Sequence, residues 1–337
     1  MNQYQNVLLF YERRKDWLNK FGSSKNNSVL KDKSRFLQRD EEIDSVILAL
    51  KERGYSITHL NKPQDLYNLI LKGDDSLQKS VGWNITDGYD IYMGSHFPSF
   101  LSLLGIPYIM EESYIQALAQ NKDHFKSVVK SMGILTPEWL TVTPYIRDNN
   151  INFPGPYIVK PSKLDNSIGL LSEKSNVFDQ PIKALNFARL HARVYNSPMI
   201  IERFIKGFDI TNPYAFFDDE LHMSLFKECL DEDWANYIYQ SNKLKDLRAK
   251  KMVCIEDKII DLKVRKISKY LIKNLHLKSY GRFDFRYCTE DNLVYLFELN
   301  PGTSLTGLPF EKFYEIKGIT LSEFMEKMIS SKFKGQK

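Results

Sequence analysis

A chain of 337 residues, 43% of them hydrophobic, is long enough for two or three domains with ample core. Its formal net charge of +5 is small for that length and its basic residues are widely spread, so neither nucleic acid nor a membrane surface is an expected partner. Cys229, Cys254 and Cys288 lie far apart, with no CxxC spacing and no His close in sequence, which argues against a disulfide framework or a zinc site and points to the cytosol.

From the N-terminus, Val7–Phe10 reads as a buried strand; it is too short for a signal segment and runs into Glu12, Arg13, Arg14 and Lys15. No run approaches the roughly 18 apolar residues that cross a bilayer. The polar stretch Glu12–Arg39 is either a solvated loop with a short surface helix or an anion-binding flap, because it leaves the carboxyl edge of a strand. Ile43, Val46, Ile47 and Leu50 form a helical stripe, and further β-type runs at Ser56–Leu60, Val81–Thr86, Asp90–Met93 and Ile106–Met110 complete the pattern of a parallel α/β domain.

The character changes after Glu112. Tyr114–Met132 is one or two helices, Trp139–Val142 is β-type, and a strand Tyr157–Val159 delivers Lys160 to a Ser-, Asn- and Gly-rich turn that, taken alone, is either a surface hairpin or a loop whose backbone N–H groups suit phosphates. Ile182, Leu185, Ala188 and Ala192 mark a helix, and Met199–Ile205 is a strand carrying Glu202. That carboxylate is either an adenine-amino acceptor or a plain edge-strand charge. Phe208–Phe217 and Leu221–Cys229 read as paired strands, Leu230–Lys250 as a polar flap, Ile259–Leu275 as an amphipathic helix, and Leu321, Phe324, Met325 and Met328 as the stripe of a closing helix.

Between the last two helices lies SYGRFDFRYCTEDNLVYLFELNPGT, two β-rich runs around the turn residues Thr289–Asn292. Period-two alternation puts Arg282, Asp284 and Arg286 on one face of the first strand, and Glu298 and Asn300 on one face of the second. Either strand alone is equally a solvated face. Paired as a hairpin, they bring two carboxylates and a carboxamide together, an oxygen set suited to Mg²⁺ and phosphate, with Arg282 beside them to neutralise phosphoryl charge.

The order of a helix lysine in NKDHFK, VKP, a polar loop ending in Gly, IERFIKGFD, GRFDFR and FELNPG resembles the ATP-grasp superfamily, most closely its D-alanine:D-alanine ligase branch, over about Gly105–Thr306. The resemblance implies an α/β and α+β three-domain ATP-grasp fold. Its parts are an N-terminal parallel α/β domain at 1–112, a central lid at 113–206 and a C-terminal mixed-sheet domain at 207–332. It implies ATP with Mg²⁺, or Mn²⁺ in its place. Lys122 and Lys160 are the expected phosphate lysines, Ser167 lies in the closing loop, and Glu202, Phe204, Ile205 and Asp209 are the expected contacts to adenine and ribose. Asp284, Glu298 and Asn300 are the expected metal ligands, and Arg282 the catalytic arginine that stabilises an acyl-phosphate and the tetrahedral intermediate.

The implied activity is ATP-dependent ligation of a carboxylate to an amine in the cytoplasm, with small-molecule substrates and a homodimer as one possible assembly. A kinase that stops at phosphoryl transfer and a non-catalytic nucleotide-binding module are the alternatives. Three departures bear on the substrate. Tyr11-Glu12-Arg13-Arg14 stands where the branch has an ammonium-binding loop, Pro301-Gly302 follows Asn300 two residues early, and the third lysine has no secure match among Asn236, Lys243 and Lys227. They lead to the expectation of an anionic acid other than D-alanine, held in part by Arg13 or Arg14.

Overall fold

A computed structural model describes residues 6–16, 40–73, 77, 79–85, 93–145, 150–163, 176–230 and 250–332 of the protein. Strand β1 (Asn6–Phe10) lies between β2 (Ser56–Leu60) and β3 (Ser80–Asn84) in a three-stranded parallel sheet. A strand covered on both edges and both faces has to be apolar throughout, and Val7, Leu8 and Leu9 are fully buried. Between successive strands come α1 (Asp40–Glu52), which buries Ile43, Val46, Ala49 and Leu50, and α2 (Pro63–Leu71).

One expected strand is reduced here to a single bridge, and another lies mostly outside the described residues. Ile106–Met110 makes a single parallel bridge, Gly82 to Tyr108, because Pro107 offers a carbonyl to Gly82 N–H but has no N–H with which to continue a ladder. Of Asp90–Met93, residues 90–92 fall outside the described residues and Met93 opens a helix, α3 (Met93–Leu103).

The segment after Glu112 folds as α4 (Ser113–Ala119) and α5 (Lys122–Ser131) and leads to a four-stranded antiparallel sheet. Its strands are β4 (Trp139–Val142), β5 (Tyr157–Pro161), β6 (Val177–Phe178) and β7 (Met199–Arg203), in the order β4-β7-β5-β6. Ala184, Ala188 and Ala192 give α6 (Pro181–Tyr195) a small-residue face that packs in the same core as Val159 and Ile201 of this sheet.

The third sheet contains β8 (Gly207–Phe217), β9 (Glu220–Met223), β10 (Phe226–Leu230), β11 (Lys250–Cys254), β12 (Tyr280–Cys288) and β13 (Val294–Pro301). Its order is β11-β10-β8-β12-β13, with β9 also on β8, and every pair is antiparallel where a mixed sheet is expected. The expected single strand Leu221–Cys229 is divided between β9 and β10. Opposite the break stands Pro213 of β8, whose missing N–H interrupts the ladder while its carbonyl still accepts from Ser224.

Helix α7 (Lys258–Asn274) starts on Asp257, whose Oδ1 accepts from the N–H groups of Ile259 and Ile260 at 2.8 and 3.1 Å. Two closing helices follow, α8 (Leu308–Lys317) and α9 (Leu321–Ser331). Their Phe310, Phe313, Phe324 and Met325 join Val7 and Val81 of the parallel sheet to Ala215 and Tyr280 of the third sheet in one core. Within it Trp83 Nε1 donates to Tyr280 Oη at 3.1 Å, so β12 is tied directly to the N-terminal layer. Among the described residues no helix is long and apolar enough to cross a membrane.

Candidate active site

The hairpin pairs Asp284 with Glu298 and Arg282 with Asn300, and the register shifts immediately after Asp284. Asp284 Oδ1 accepts from Arg282 Nε at 2.8 Å and from Thr211 Oγ1 at 3.0 Å. Its Oδ2 accepts from Arg282 Nη2 at 2.7 Å and from Asn300 Nδ2 at 2.9 Å. Residues from β8, β12 and β13 therefore fix one carboxylate. Because Asn300 spends its amide nitrogen on Asp284, its Oδ1 is the atom that remains to meet a cation.

Burial pushes the Asp284 carboxyl up, Arg282 pulls it back, and repulsion from Glu298 and Glu228 raises it again, leaving it above the ordinary carboxylate range. A divalent cation held there would relieve that repulsion, and the oxygen donors suit Mg²⁺ or Mn²⁺ rather than a softer metal. Among the described residues no three His, Cys, Asp or Glu side chains gather as a closed cage. Two carboxylates and an amide are what Mg²⁺ uses when phosphates complete its shell.

Opposite stand three lysines. Lys122, the first residue of α5, is buried and its Nζ lies 3.6 Å from Glu298 Oε2. Lys160 on β5 reaches Glu202 Oε2 at 2.8 Å, with its ammonium 5.4 Å from the centroid of Phe297. The third, Lys126, is the residue that sequence reasoning missed. It is fully buried, 3.0 Å from Glu202 Oε1 and 2.6 Å from Thr136 Oγ1, with Trp139 5.8 Å away. Its signal was present, since a lysine one turn after Lys122 falls on the apolar stripe with Phe125 and Val129.

Glu202 is thus a buried acceptor between two cations rather than an edge charge. Burial opposes its ionisation, but Lys126 and Lys160 outweigh burial and hold its pKa below the ordinary range. Oε1 faces Lys126 as an ion pair, yet no hydrogen bond is aligned on it among the described residues.

Burial pulls the Lys126 pKa down to about 8, against the attraction of Glu202. Between that value and the ordinary 10.5 the unfolded chain holds a proton that the folded chain lacks, so this group's contribution to stability rises with pH through that window. Wild type should therefore gain stability relative to Lys126→Met as pH is raised from about 8 towards 10.5. Urea midpoints compared across that range check it; a difference flat in pH removes the assignment.

Phe204 and Ile205, the expected purine contacts, lie in the short connection between β7 and β8. Phe204 N–H donates to the Pro156 carbonyl at 2.7 Å. Asp209 accepts from Arg286 Nε at 2.7 Å. Ser167, Asn236 and Lys243 lie outside the described residues. Lys227 is on β10 with its ammonium 4.4 Å from the Phe208 ring centroid.

Residues 128–330, more than half of the chain, match the family model described as D-ala D-ala ligase C-terminus. The chain belongs to this family. It is an ATP-grasp ligase, in a family that is in general ATP- and Mg²⁺-dependent, of the class that forms carbon–nitrogen bonds with production of ADP. The D-alanine--D-alanine ligase of Aquifex aeolicus is 28% identical over 276 residues, 79% of this chain and 86% of that protein. The D-alanine--D-alanine ligase B of Clostridium perfringens is 28% identical over 243 residues, 69% and 74% of the two chains.

The same fold is seen in a D-alanine--D-alanine ligase of Bacillus anthracis complexed with ATP, with a TM-score of 0.69, 19% identity and 98% of each chain covered. It is seen again in a D-Ala:D-Ser ligase of Enterococcus faecalis, with a TM-score of 0.63, 14% identity and 97% and 99% covered. The ligase described here thus has the three-domain ATP-grasp architecture that its motifs imply.

Proposed function

We propose that the protein uses ATP to activate a carboxylate as an acyl-phosphate and passes the acyl group to an amine, forming an amide or peptide bond. The observation that supports this reading is that the lysines come up against the hairpin that carries the acids. Lys122 Nζ lies 3.6 Å from Glu298 Oε2, and the ammonium of Lys160 lies 5.4 Å from the ring centroid of the adjacent Phe297. Lys122 and Lys160 are placed to neutralise phosphate oxygens, and Asp284, Glu298 and Asn300 would hold Mg²⁺, which supplies charge neutralisation for phosphoryl transfer.

A carboxylate oxygen attacks the γ-phosphorus, the bond to the bridging oxygen breaks, and ADP leaves. The amine then attacks the acyl carbon, phosphate departs with the bonding pair of the C–O bond, and the proton lost from the amine nitrogen leaves with it as hydrogen phosphate. Arg282 is held in one orientation by two bonds to Asp284, which aims its remaining N–H groups at charge developing on the acyl-phosphate and the tetrahedral oxygen. ADP release measured with acid alone and with acid plus amine tests the reading. Release that needs the amine supports ligation, and full turnover without any amine turns it into a kinase.

For the acid, the printed names of the relatives make D-alanine the first candidate to assay. A second reading, an acid other than D-alanine, is favoured by the early Pro301-Gly302 after Asn300, which shortens the connection between β13 and α8. Of the two expected guanidinium forks, Arg13 is not part of that case. Arg13 lies over the Tyr11 ring and is paired with Asp44 at 2.5 Å and Asp40 at 3.9 Å, so its charge is spent on α1 and would not repel a substrate ammonium. Arg13→Ala should therefore leave the acid KM within about twofold of wild type, as expected for an exposed ion pair worth roughly 0–1 kcal/mol. A tenfold rise in that KM would restore the basic segment to the acid site.

A further inference from the structure

Glu111 is wholly buried, and it belongs neither to the metal hairpin nor to the lysine set. It follows directly on the segment that bridges to β3, where Gly82 N–H donates to the Pro107 carbonyl and Ile109 N–H to the Gly82 carbonyl, both at 2.8 Å. Its backbone is therefore fixed to the parallel sheet, but its side chain is fixed to the third. Oε1 accepts from Ser279 N–H at 3.0 Å and from Tyr214 Oη at 3.1 Å, and Oε2 accepts from Lys278 N–H at 3.0 Å. Burial pushes this carboxyl above its ordinary range, although the two N–H groups, the charge of Lys332 and the tyrosine all pull the other way.

The three partners converge on one place, the start of β12. Lys278 and Ser279 are the two residues before that strand, and Tyr214 of β8 stands opposite Gly281. A Cβ at Gly281 would meet the Tyr214 hydroxyl oxygen at 2.8 Å and the Asn300 carbonyl oxygen at 2.9 Å, so the hydroxyl lies directly against the strand backbone. The next residue is Arg282. Alternation turns Arg282 and Asp284 towards the site, while Tyr214 stacks on Phe283 in the core behind them, with ring centroids 5.2 Å apart. Glu111 thus grips β12 from the side away from the site, and Trp83 ties the same stretch to the parallel sheet through Tyr280.

The phosphate lysines have their own anchor. Lys122 N–H donates to the Ser162 carbonyl at 3.0 Å and Ser162 Oγ donates to Asp123 Oδ1 at 2.6 Å, which fastens α5 to the end of β5. A shift at the start of β12 leaves that anchor in place.

We propose that Glu111 is a positioning residue for Arg282, setting where β12 enters the third sheet and hence where the guanidinium stands relative to the reacting acyl group. This rests on the role given to Arg282 above. A carboxylate suits the task because both its oxygens accept and all three partners donate. A carboxamide of the same shape would turn an N–H₂ against one of the two backbone N–H groups.

The test measures ADP release with D-alanine as acid and amine, or with the pair that wild type turns over fastest, together with calorimetric binding of MgATP and denaturant midpoints. The full-chain proteins compared are wild type, Glu111→Gln, Tyr214→Phe, their double variant, Arg282→Met and Val264→Ala. Glu111→Gln should lower kcat by about 10–10²-fold, the cost of a misplacement of about 1 Å at a reacting centre, while ATP affinity stays within about twofold. Tyr214→Phe, which keeps the ring and removes the hydroxyl, should lower kcat in the same direction by less. The double variant should be little slower than Glu111→Gln, because the hydroxyl acts only while the carboxylate holds it. Val264→Ala on α7, in the same core as Tyr214 and Phe283, should lose stability yet keep kcat within about twofold. Wild-type kcat in folded Glu111→Gln, or in Tyr214→Phe if Glu111→Gln does not fold, overturns the inference. So does an equal loss of kcat in Val264→Ala, a loss confined to ATP affinity, or losses that multiply in the double variant. Arg282→Met with wild-type kcat would remove the role of Arg282 and this inference with it, whereas an impaired Arg282→Met beside an unimpaired Glu111→Gln removes the inference alone.

Discussion

Replacing Glu298 with Gln should lower kcat by about 10²–10³, the loss measured when one preorganised electrostatic contact to a reacting group is removed. The side chain is only half-buried, with 26% of its surface exposed and Lys122 at 3.6 Å, so the substitution removes charge without opening a cavity. Its loss also relieves the repulsion that raises Asp284, which should return that carboxyl towards its ordinary value. The defect should therefore be one of metal affinity as well as of rate, and raising Mg²⁺ should recover part of the activity. Turnover at the wild-type level and at the wild-type Mg²⁺ requirement would falsify the assignment of Glu298 as a metal ligand. Asp284→Asn is a harsher change, because Arg282 then loses the partner that orients it through two hydrogen bonds.

The hairpin that carries these groups was legible because a period of two needs no tertiary information. Once Asp284 and Glu298 are on adjacent strands their faces are determined, and the observed pairing places them directly opposite each other. The buried cation pairs were not legible in the same way. Lys126 and Glu202 are 76 residues apart in the sequence, and a lysine on an apolar helix stripe ordinarily extends its stem to keep its ammonium in water. Its burial depends on α5 meeting Glu202 and Trp139 of the four-stranded sheet and Thr136 beside it.

Arg286 was visible as a same-face neighbour of Asp284, but its partner Asp209 lies 77 residues away on β8. Prolines account for two errors in the strands, Pro107 ending the ladder beside Gly82 and Pro213 standing opposite the break between β9 and β10. Helix α8 was overlooked although its ends are marked in the sequence, with Pro309 in its first turn and Gly318 in the left-handed conformation after its last. Phe310 and Phe313 of this helix complete the core that joins the first and third sheets, so the omission also hid how the site is tied to the N-terminal layer.

Replacing Glu202 with Gln should destabilise the protein by about 3–5 kcal/mol, the usual cost of leaving a buried ion without its partner. Lys126 Nζ and Lys160 Nζ lie 3.0 and 2.8 Å from the two carboxylate oxygens, and the glutamate itself is almost wholly buried. A carboxamide keeps the shape but offers no charge and turns an N–H₂ towards one of the ammonium groups. Lys126, already pulled down to about 8 with Glu202 in place, should then shed its proton at lower pH, since burial continues to act and the main attraction is gone. ATP binding should weaken by about one to two decades, from loss of the expected adenine-amino acceptor and of the anion that orients Lys160. The double variant Glu202→Gln with Lys126→Met separates this account from a general packing defect. Removing the cation together with the anion restores the charge balance around Lys160, so the double variant should be more stable than the sum of the two single losses predicts. Denaturant midpoints of the four proteins decide it: strictly additive losses, or a Glu202→Gln variant as stable as wild type, would show that the two lysines do not depend on this carboxylate.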